Sequence, residues 1–69
     1  MTEDDLARQV HELLRESGSP LSTKAVADRL DVDWHTAKKR LERLADEGKA
    51  HRKQFRSNMT LWWDKEIPL

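Results

Sequence analysis

The fold of this 69-residue chain is decided by residues 20–44, which read PLSTKAVADRLDVDWHTAKKRLERL. Apolar residues recur there with helical spacing in two segments, which are separated by the short acidic turn Asp31-Val32-Asp33. The hydroxyl of Ser22 or Thr23 can cap the first helix, and the carboxylate of Asp33 can cap the second. We therefore predict two helices that pack against each other across the turn, at about residues 23–30 and 34–47.

Apolar residues recur along both helices at positions that share one face. Such a face is stable only when it packs against another element, so it marks the side that turns toward the core. The predicted inner faces consist of Ala25, Val26 and Leu30 in the first helix and of Trp34, Ala37, Leu41, Leu44 and Ala45 in the second. The small side chains of Ala25 and Ala37 allow the two helices to approach closely.

The chain before this pair predicts one more helix, at about residues 3–17. Its apolar stripe consists of Leu6, Val10, Leu13 and Leu14, which fall on one helical face. Gly18 can adopt the left-handed conformation that ends a helix, and Pro20 cannot continue one. The first 47 residues therefore predict a bundle of three helices.

After Gly48 the pattern changes from helical to alternating. Alternation of this kind predicts a β-hairpin, which we place at about residues 49–64 with a tail at 65–69. The expected loop is Arg56-Ser57-Asn58, in which Asn58 tolerates a positive φ. The tip of the hairpin contains no glycine, so its turn type is left open.

The inward face of the hairpin is harder to assign. A three-residue loop places Phe55, Met59, Leu61 and Trp63 on one face and Arg52, Gln54, Thr60 and Trp62 on the other. Ala50 is expected to point inward, but its alternation conflicts with that of Phe55, and a β-bulge would reconcile the two. Which of the adjacent Trp62 and Trp63 faces the core stays open, as does whether the outward one packs on the hairpin, contacts a second copy or stacks on a base.

Composition limits the classes of protein that this chain can belong to. A chain of 69 residues predicts a single domain, residues 1–69, without a large substrate pocket. The absence of cysteine excludes disulfides and thiolate metal sites and is typical of a reducing cytoplasm, where we expect the protein. The longest apolar run, residues 61–63, is too short to span a membrane.

Charge is distributed unevenly although the net charge is zero, with 13 Lys and Arg against 13 Asp and Glu. Residues 1–33 have a net charge of −4, whereas residues 34–56 contain eight Lys and Arg against three Asp and Glu, a net charge of +5. The zero total argues against a nucleic-acid binder, but the local field is the quantity that a phosphate backbone senses. The third helix and the hairpin are therefore the candidate anion-binding surface.

Catalytic and metal-binding patterns are missing from the sequence. It contains no nucleophile–base pair, no glycine-rich phosphate loop and no paired carboxylates in an apolar segment. The three histidines, His11, His35 and His51, do not have the spacing of a metal site. We expect a protein that is not an enzyme and that has no catalytic residues, no metal, no cofactor and no small-molecule effector.

The order of these elements resembles the winged helix-turn-helix domain of small prokaryotic transcription regulators. The resemblance is carried by residues 20–30, by residues 31–44 and by Glu47-Gly48-Lys49-Ala50. It implies a mainly α (α+β) fold, in which a three-helix core with a helix-turn-helix is followed by a C-terminal β-hairpin wing. It also implies a double-stranded DNA partner, with residues 34–47 in the major groove and the 49–64 wing on the backbone.

The resemblance further implies which residues contact DNA. Backbone N–H groups at the start of the second helix would reach a phosphate, the third helix would read base edges, and the wing would hold the backbone. These residues are Ser22, Thr23, Lys24, His35, Thr36, Lys38, Lys39, Arg40, Arg43, Arg52, Lys53, Arg56, Ser57 and Asn58. Trp34 departs from the family pattern, because it is bulkier than the residue that is common there.

Two features leave room for a protein partner. A module of this size has a limited contact area, so tight specific binding would need a homodimer or a paired site, with the first helix or the Trp62/Trp63 hairpin as the dimer contact. The alternative function is a winged-helix protein–protein interaction module, for example one that docks to the transcription machinery. Its support is the zero net charge and the acidic region 1–20.

Overall fold

A computed structural model describes residues 3–56 and 59–67 of the chain. In chain order the elements are α1 (Glu3–Ser17), β1 (Leu21–Ser22), α2 (Thr23–Leu30), α3 (Trp34–Asp46), β2 (Ala50–Arg56) and β3 (Met59–Asp64). Three helices thus precede an antiparallel hairpin, and the short β1 adds a third strand to it. The predicted fold class, mainly α with a C-terminal hairpin, is confirmed.

Local hydrogen bonds explain where α2 and α3 begin. The hydroxyl of Ser22 accepts a hydrogen bond from the backbone N–H of Ala25 at 3.1 Å, so Ser22 is the N-cap of α2. The carboxylate of Asp33 accepts one from the N–H of His35 at 2.9 Å and caps α3, as predicted. Between them Asp31 adopts the left-handed conformation with a φ of 54°, which a short polar side chain tolerates. These contacts set the turn that orients α3 against α2.

The core lies between the three helices and the inner face of the sheet. Its buried apolar residues are Val10, Leu14, Leu21, Val26, Ala27, Ala37, Leu41, Leu44, Ala50 and Trp62. Trp62 is the largest fully buried side chain, with 1% of its surface exposed. Its indole Nε1–H donates a 2.9 Å hydrogen bond to the hydroxyl of Thr23, which satisfies both polar groups inside the core.

The sheet has the strand order β1-β3-β2, so β2 is an edge strand. Ala50 and Trp62 both face the core, which confirms the inward direction expected of Ala50 and identifies Trp62 as the buried tryptophan. The register shifts between Gln54 and Arg56, and Phe55, which lies at this bulge, is 55% exposed. The sequence predicts a bulge but not its position, because that depends on cross-strand pairing and has no local signal.

Two details of the hairpin differ from the prediction or lie outside the described residues. The predicted loop Arg56-Ser57-Asn58 is wrong at its first residue, because Arg56 belongs to β2 and pairs with Met59. Ser57 and Asn58 themselves lie outside the described residues. On the outer face, His51 pairs with the half-buried Trp63, and their ring centroids are 5.9 Å apart.

The prediction that Trp34 is a core residue is wrong. Its side chain is 39% exposed, because it is the first residue of α3 and lies at the edge of the apolar arc. The ring packs on its own helix instead. The Nζ of Lys38 lies 5.2 Å from the ring centroid, and the ring of His35 meets it edge-on at 5.0 Å.

A polar contact ties α1 to the end of the sheet. The Nε2 of His11 lies 2.9 Å from Oδ1 of Asp64, and the second oxygen of Asp64 accepts a hydrogen bond from the backbone N–H of Glu66. Asp64 is almost fully buried, so these partners compensate for its desolvation. The described helices are too short or too polar to cross a membrane.

Candidate nucleic-acid interface

The outer face of α3 presents cationic and polar side chains to solvent. His35, Lys38, Lys39 and Arg43 are exposed, whereas Thr36 and Arg40 are half-buried. The helix axis is fixed from the opposite side by the buried Ala37, Leu41 and Leu44. Because the exposed and the buried side chains lie on opposite faces, α3 can approach another molecule without disturbing its own packing.

Carboxylates partly neutralise the C-terminal end of this face. Arg43 Nε donates to Oε2 of Glu47 at 3.4 Å, and the ammonium of Lys49 lies 3.4 Å from the other oxygen of Glu47. The hydrogen bond with Lys49 and then the one with Arg43 lower the pKa of Glu47 below its ordinary value of 4.5. Glu47 is therefore ionised at neutral pH and competes with any phosphate for these two cations.

The start of α2 is predicted to contact a phosphate through its backbone N–H groups. The Ser22 hydroxyl is occupied by the helix cap, and the Thr23 side chain is 5% exposed and holds the indole of Trp62. The Thr23 side chain is therefore withdrawn from the surface, and the backbone contact of this segment with a phosphate stays a prediction. Lys24 is exposed and forms an ion pair with Asp28 at 3.0 Å.

The cations of the hairpin point to both faces of β2. Arg52 lies on the inner side, with its guanidinium carbon 5.9 Å from the ring centroid of Trp62. Lys53 lies on the outer side, with its ammonium 5.4 Å from the ring of Phe55. Arg52, Lys53 and Arg56 are all exposed. Ser57 and Asn58, the other predicted wing contacts, lie outside the described residues.

A cleft of about 370 Å³ separates α3 from the inner face of the hairpin. We call it the α3–wing cleft. Trp34, Lys38 and Glu42 line its helix side, Arg52, Gln54 and Thr60 line its strand side, and Trp62 lies between them. The fold thus brings Lys38 and Arg52, both predicted as DNA contacts, to one concave surface.

Sequence reasoning misses several residues of this cleft. It assigns Trp34 to the core and does not include Glu42 among the residues of a binding site. The helix side nevertheless carries a signal, because residues 34, 38 and 42 follow one another at a spacing of four and must share a flank of α3. The alternation of side chains along the hairpin correctly groups Gln54 and Thr60 with Arg52, but it assigns no role to Gln54 or Thr60.

Comparison with known proteins supports the fold. No protein-family model matches this chain, and no curated protein sequence matches it significantly. The structure is similar to a solved structure from work on the DNA recognition and protein interaction domains of HOP2 and its homologous DNA pairing properties. The TM-score is 0.78, with 22% sequence identity over 84% of this chain and 95% of that chain. The fold is that of a winged helix. At this identity the likeness shows the architecture alone, in which α3 follows the helix-turn-helix turn and β2–β3 is the wing.

Proposed function

We propose that this domain binds double-stranded DNA, with α3 in the major groove and the wing on the adjacent phosphate backbone. The observation that carries the proposal is the set of exposed cations on two neighbouring elements of a winged helix, namely Lys38, Lys39 and Arg43 on α3 and Arg52, Lys53 and Arg56 on β2. The major groove admits one α-helix, and His35, Lys38, Lys39 and Arg43 on the outer face of α3 are exposed. The similar structure comes from work on the DNA recognition and protein interaction domains of HOP2, which supports the proposal by analogy.

The roles of the side chains follow from their chemistry and position. His35 and Lys39 lie on the outermost part of α3 and would donate hydrogen bonds to base edges, Lys39 to the O6 and N7 of guanine. Arg43 and the wing cations would contact phosphates, which position the protein without reading sequence. The resemblance to transcription regulators extends the proposal to a non-enzymatic regulator that acts by occupying its DNA site.

The distribution of charge determines how strongly the domain is attracted to DNA and where its affinity arises. Segment 34–56 has a net charge of +5, but the whole chain has none, so long-range attraction to DNA is weak. Affinity would arise mainly at contact, from the release of counterions at the phosphates that the cations touch. We therefore propose weak non-specific affinity, with tight binding achieved only on a favourable sequence or with two copies on one site.

The decisive experiment compares two double variants by fluorescence anisotropy with a labelled duplex. Lys39→Ala with Arg43→Ala removes two cations from α3, whereas Arg15→Ala with Arg29→Ala removes the same charge from exposed positions on α1 and α2. The first pair should weaken binding and reduce the salt slope by about 1 for each phosphate that the variant no longer touches. The control pair should leave the slope unchanged.

Two results would reject this assignment. Equal losses in both double variants would mean that only the net charge matters and that α3 is not the contact surface. Loss of helical circular dichroism in the α3 pair would mean that its basic face is structural.

Dimerisation remains part of the proposal, in a narrower form. Trp62 is buried, so Trp63 is the outward tryptophan of the Trp62/Trp63 hairpin. The candidates are now α1 and the half-buried Trp63 on the outer face of the wing. Sedimentation velocity with and without a two-site duplex tests whether a second copy binds.

An observation on the wing favours the alternative function, a protein–protein interaction module. On its outer face Phe55 is 55% exposed and Met59 is 44% exposed, with Leu61 and Trp63 half-buried beside them. Apolar side chains that are exposed together are typical of protein contacts. If the domain is a protein-binding module, Phe55→Ser should abolish its binding to the protein partner. Duplex DNA should then leave the NMR signals of α3 unchanged even at low salt.

A further inference from the structure

The α3–wing cleft contains an exposed aromatic side chain, Trp34, that binding in the major groove does not require. Trp34 is 39% exposed at the first turn of α3, although a large apolar ring is costly to leave in water. A paired duplex keeps the faces of its bases stacked inside and offers mainly hydrogen-bonding edges to a recognition helix. The partner that an exposed indole face fits best is the face of a base that is not stacked in a duplex.

A cationic side chain lies on each side of the α3–wing cleft. The Lys38 ammonium lies 5.2 Å from the Trp34 ring centroid, and the Arg52 guanidinium lies 5.9 Å from that of Trp62 on the opposite side of the cleft. Both side chains are long and exposed, so each could move from its ring to a phosphate without breaking the fold. A nucleotide carries its charge on phosphates at either end of its sugar, which matches one cation on each side of the opening.

The side chains that line the interior of the cleft are mainly polar. Gln54 and Thr60 line the strand side and Glu42 lines the helix side. An amide can donate to and accept from a base edge, and a carboxylate can accept from an exocyclic amino group. The volume of about 370 Å³ lies in the range of small-ligand sites and is far too small for a helix or a strand of a partner protein.

From these contacts we propose that the α3–wing cleft binds one unpaired nucleotide of a DNA strand, with its base stacked on Trp34 and its phosphates held by Lys38 and Arg52. The inference rests on the proposed DNA binding and adds a substrate class to it. The preferred ligand is a duplex that contains an unpaired or extruded base, and the continuous duplex is bound more weakly. When the base enters, the Lys38 side chain leaves the indole face and pairs with the phosphate.

The test compares the affinity of one protein for two ligands. Fluorescence anisotropy is measured with a labelled continuous duplex and with the same duplex carrying one extra, unpaired thymine. Stacking of one base on an aromatic side chain is worth about 5- to 150-fold in affinity, so the wild-type protein should prefer the second duplex by a factor in this range. Trp34→Ala should remove the preference, and Trp34→Phe should retain part of it.

A matched control separates the cleft from the rest of the surface. Trp63→Ala removes a half-buried indole from the outer face of the wing and should leave the preference unchanged. Equal affinity of the wild-type protein for the two duplexes would overturn this inference while leaving the proposed function intact. A preference that survives Trp34→Ala, or tight binding of free thymidine monophosphate, would overturn it as well. Failure to bind either duplex would reject the proposed function, and this inference with it.

Discussion

Replacing Thr23 by Val tests whether the buried hydrogen bond between Thr23 and Trp62 stabilises the fold. The Thr23 hydroxyl accepts the indole N–H of Trp62 at 2.9 Å, and both side chains are buried. Valine has nearly the same shape as threonine, so the packing is kept and only the acceptor is removed. The N–H of Trp62 is then left without this partner inside the core, which costs about 1–3 kcal/mol.

The size of the effect makes it measurable in so small a domain. A loss of about 1 kcal/mol lowers the Tm of a 60–100-residue domain by about 4–8 °C, so a loss of about 1–3 kcal/mol in Thr23→Val should lower it by roughly 4–24 °C. The assay is thermal and urea unfolding followed by circular dichroism. Thr60→Val, at a half-buried threonine of β3, is the matched control and should change the free energy of unfolding by less than about 0.5 kcal/mol.

A double-mutant cycle assigns the effect to the hydrogen bond. In a Trp62→Phe background the donor is already gone, so Thr23→Val should cost much less there than in the wild-type protein. If Thr23→Val is as stable as the wild type, or costs the same in both backgrounds, the buried hydrogen bond does not stabilise the fold and the reasoning fails.

The other predictions concern the ends of α3. Asp33→Ala removes the acceptor of the His35 N–H and should lower the free energy of unfolding by about 1 kcal/mol. Asp33→Ser keeps an acceptor and should retain most of the wild-type stability. Equal losses of stability in the two variants would refute the capping role of Asp33. Glu47→Gln removes the carboxylate shared by Arg43 and Lys49 and should tighten duplex binding and steepen its salt dependence in anisotropy; weaker binding would contradict this. Since the pKa of Glu47 is lowered, its contribution to stability is present above pH 4.5 and is lost as the pH falls through the lowered pKa, so urea unfolding of wild type and Glu47→Gln should converge in acid.

Local signals are enough to predict the helices and their caps. The stripe containing Val10 and Leu14 predicts α1, and Asp33 predicts the start of α3, because spacing and capping chemistry depend only on residues a few positions apart. The segment charges likewise locate the cations of α3 and β2. These are the parts of the fold and of the candidate interface in which neighbours along the chain decide the outcome.

Contacts between distant residues cannot be predicted in this way. The hydrogen bond from Trp62 to Thr23 joins positions 39 residues apart, and no local pattern predicts that it holds the Thr23 side chain in the core. The bulge at Phe55 depends on pairing with β3. Trp34 fits the apolar pattern of α3, but only the tertiary structure shows that the core ends before it.

The most direct test of DNA binding is an NMR titration of the labelled protein with random-sequence duplex at several salt concentrations. The account predicts that backbone shifts cluster on residues 35–43 and 52–56 and fade as salt rises. With roughly four to eight phosphate contacts, the logarithm of affinity should fall against the logarithm of salt concentration with a slope of about −4 to −7. Shifts that spare α3 and β2 at low salt, or an affinity that does not depend on salt, would contradict it.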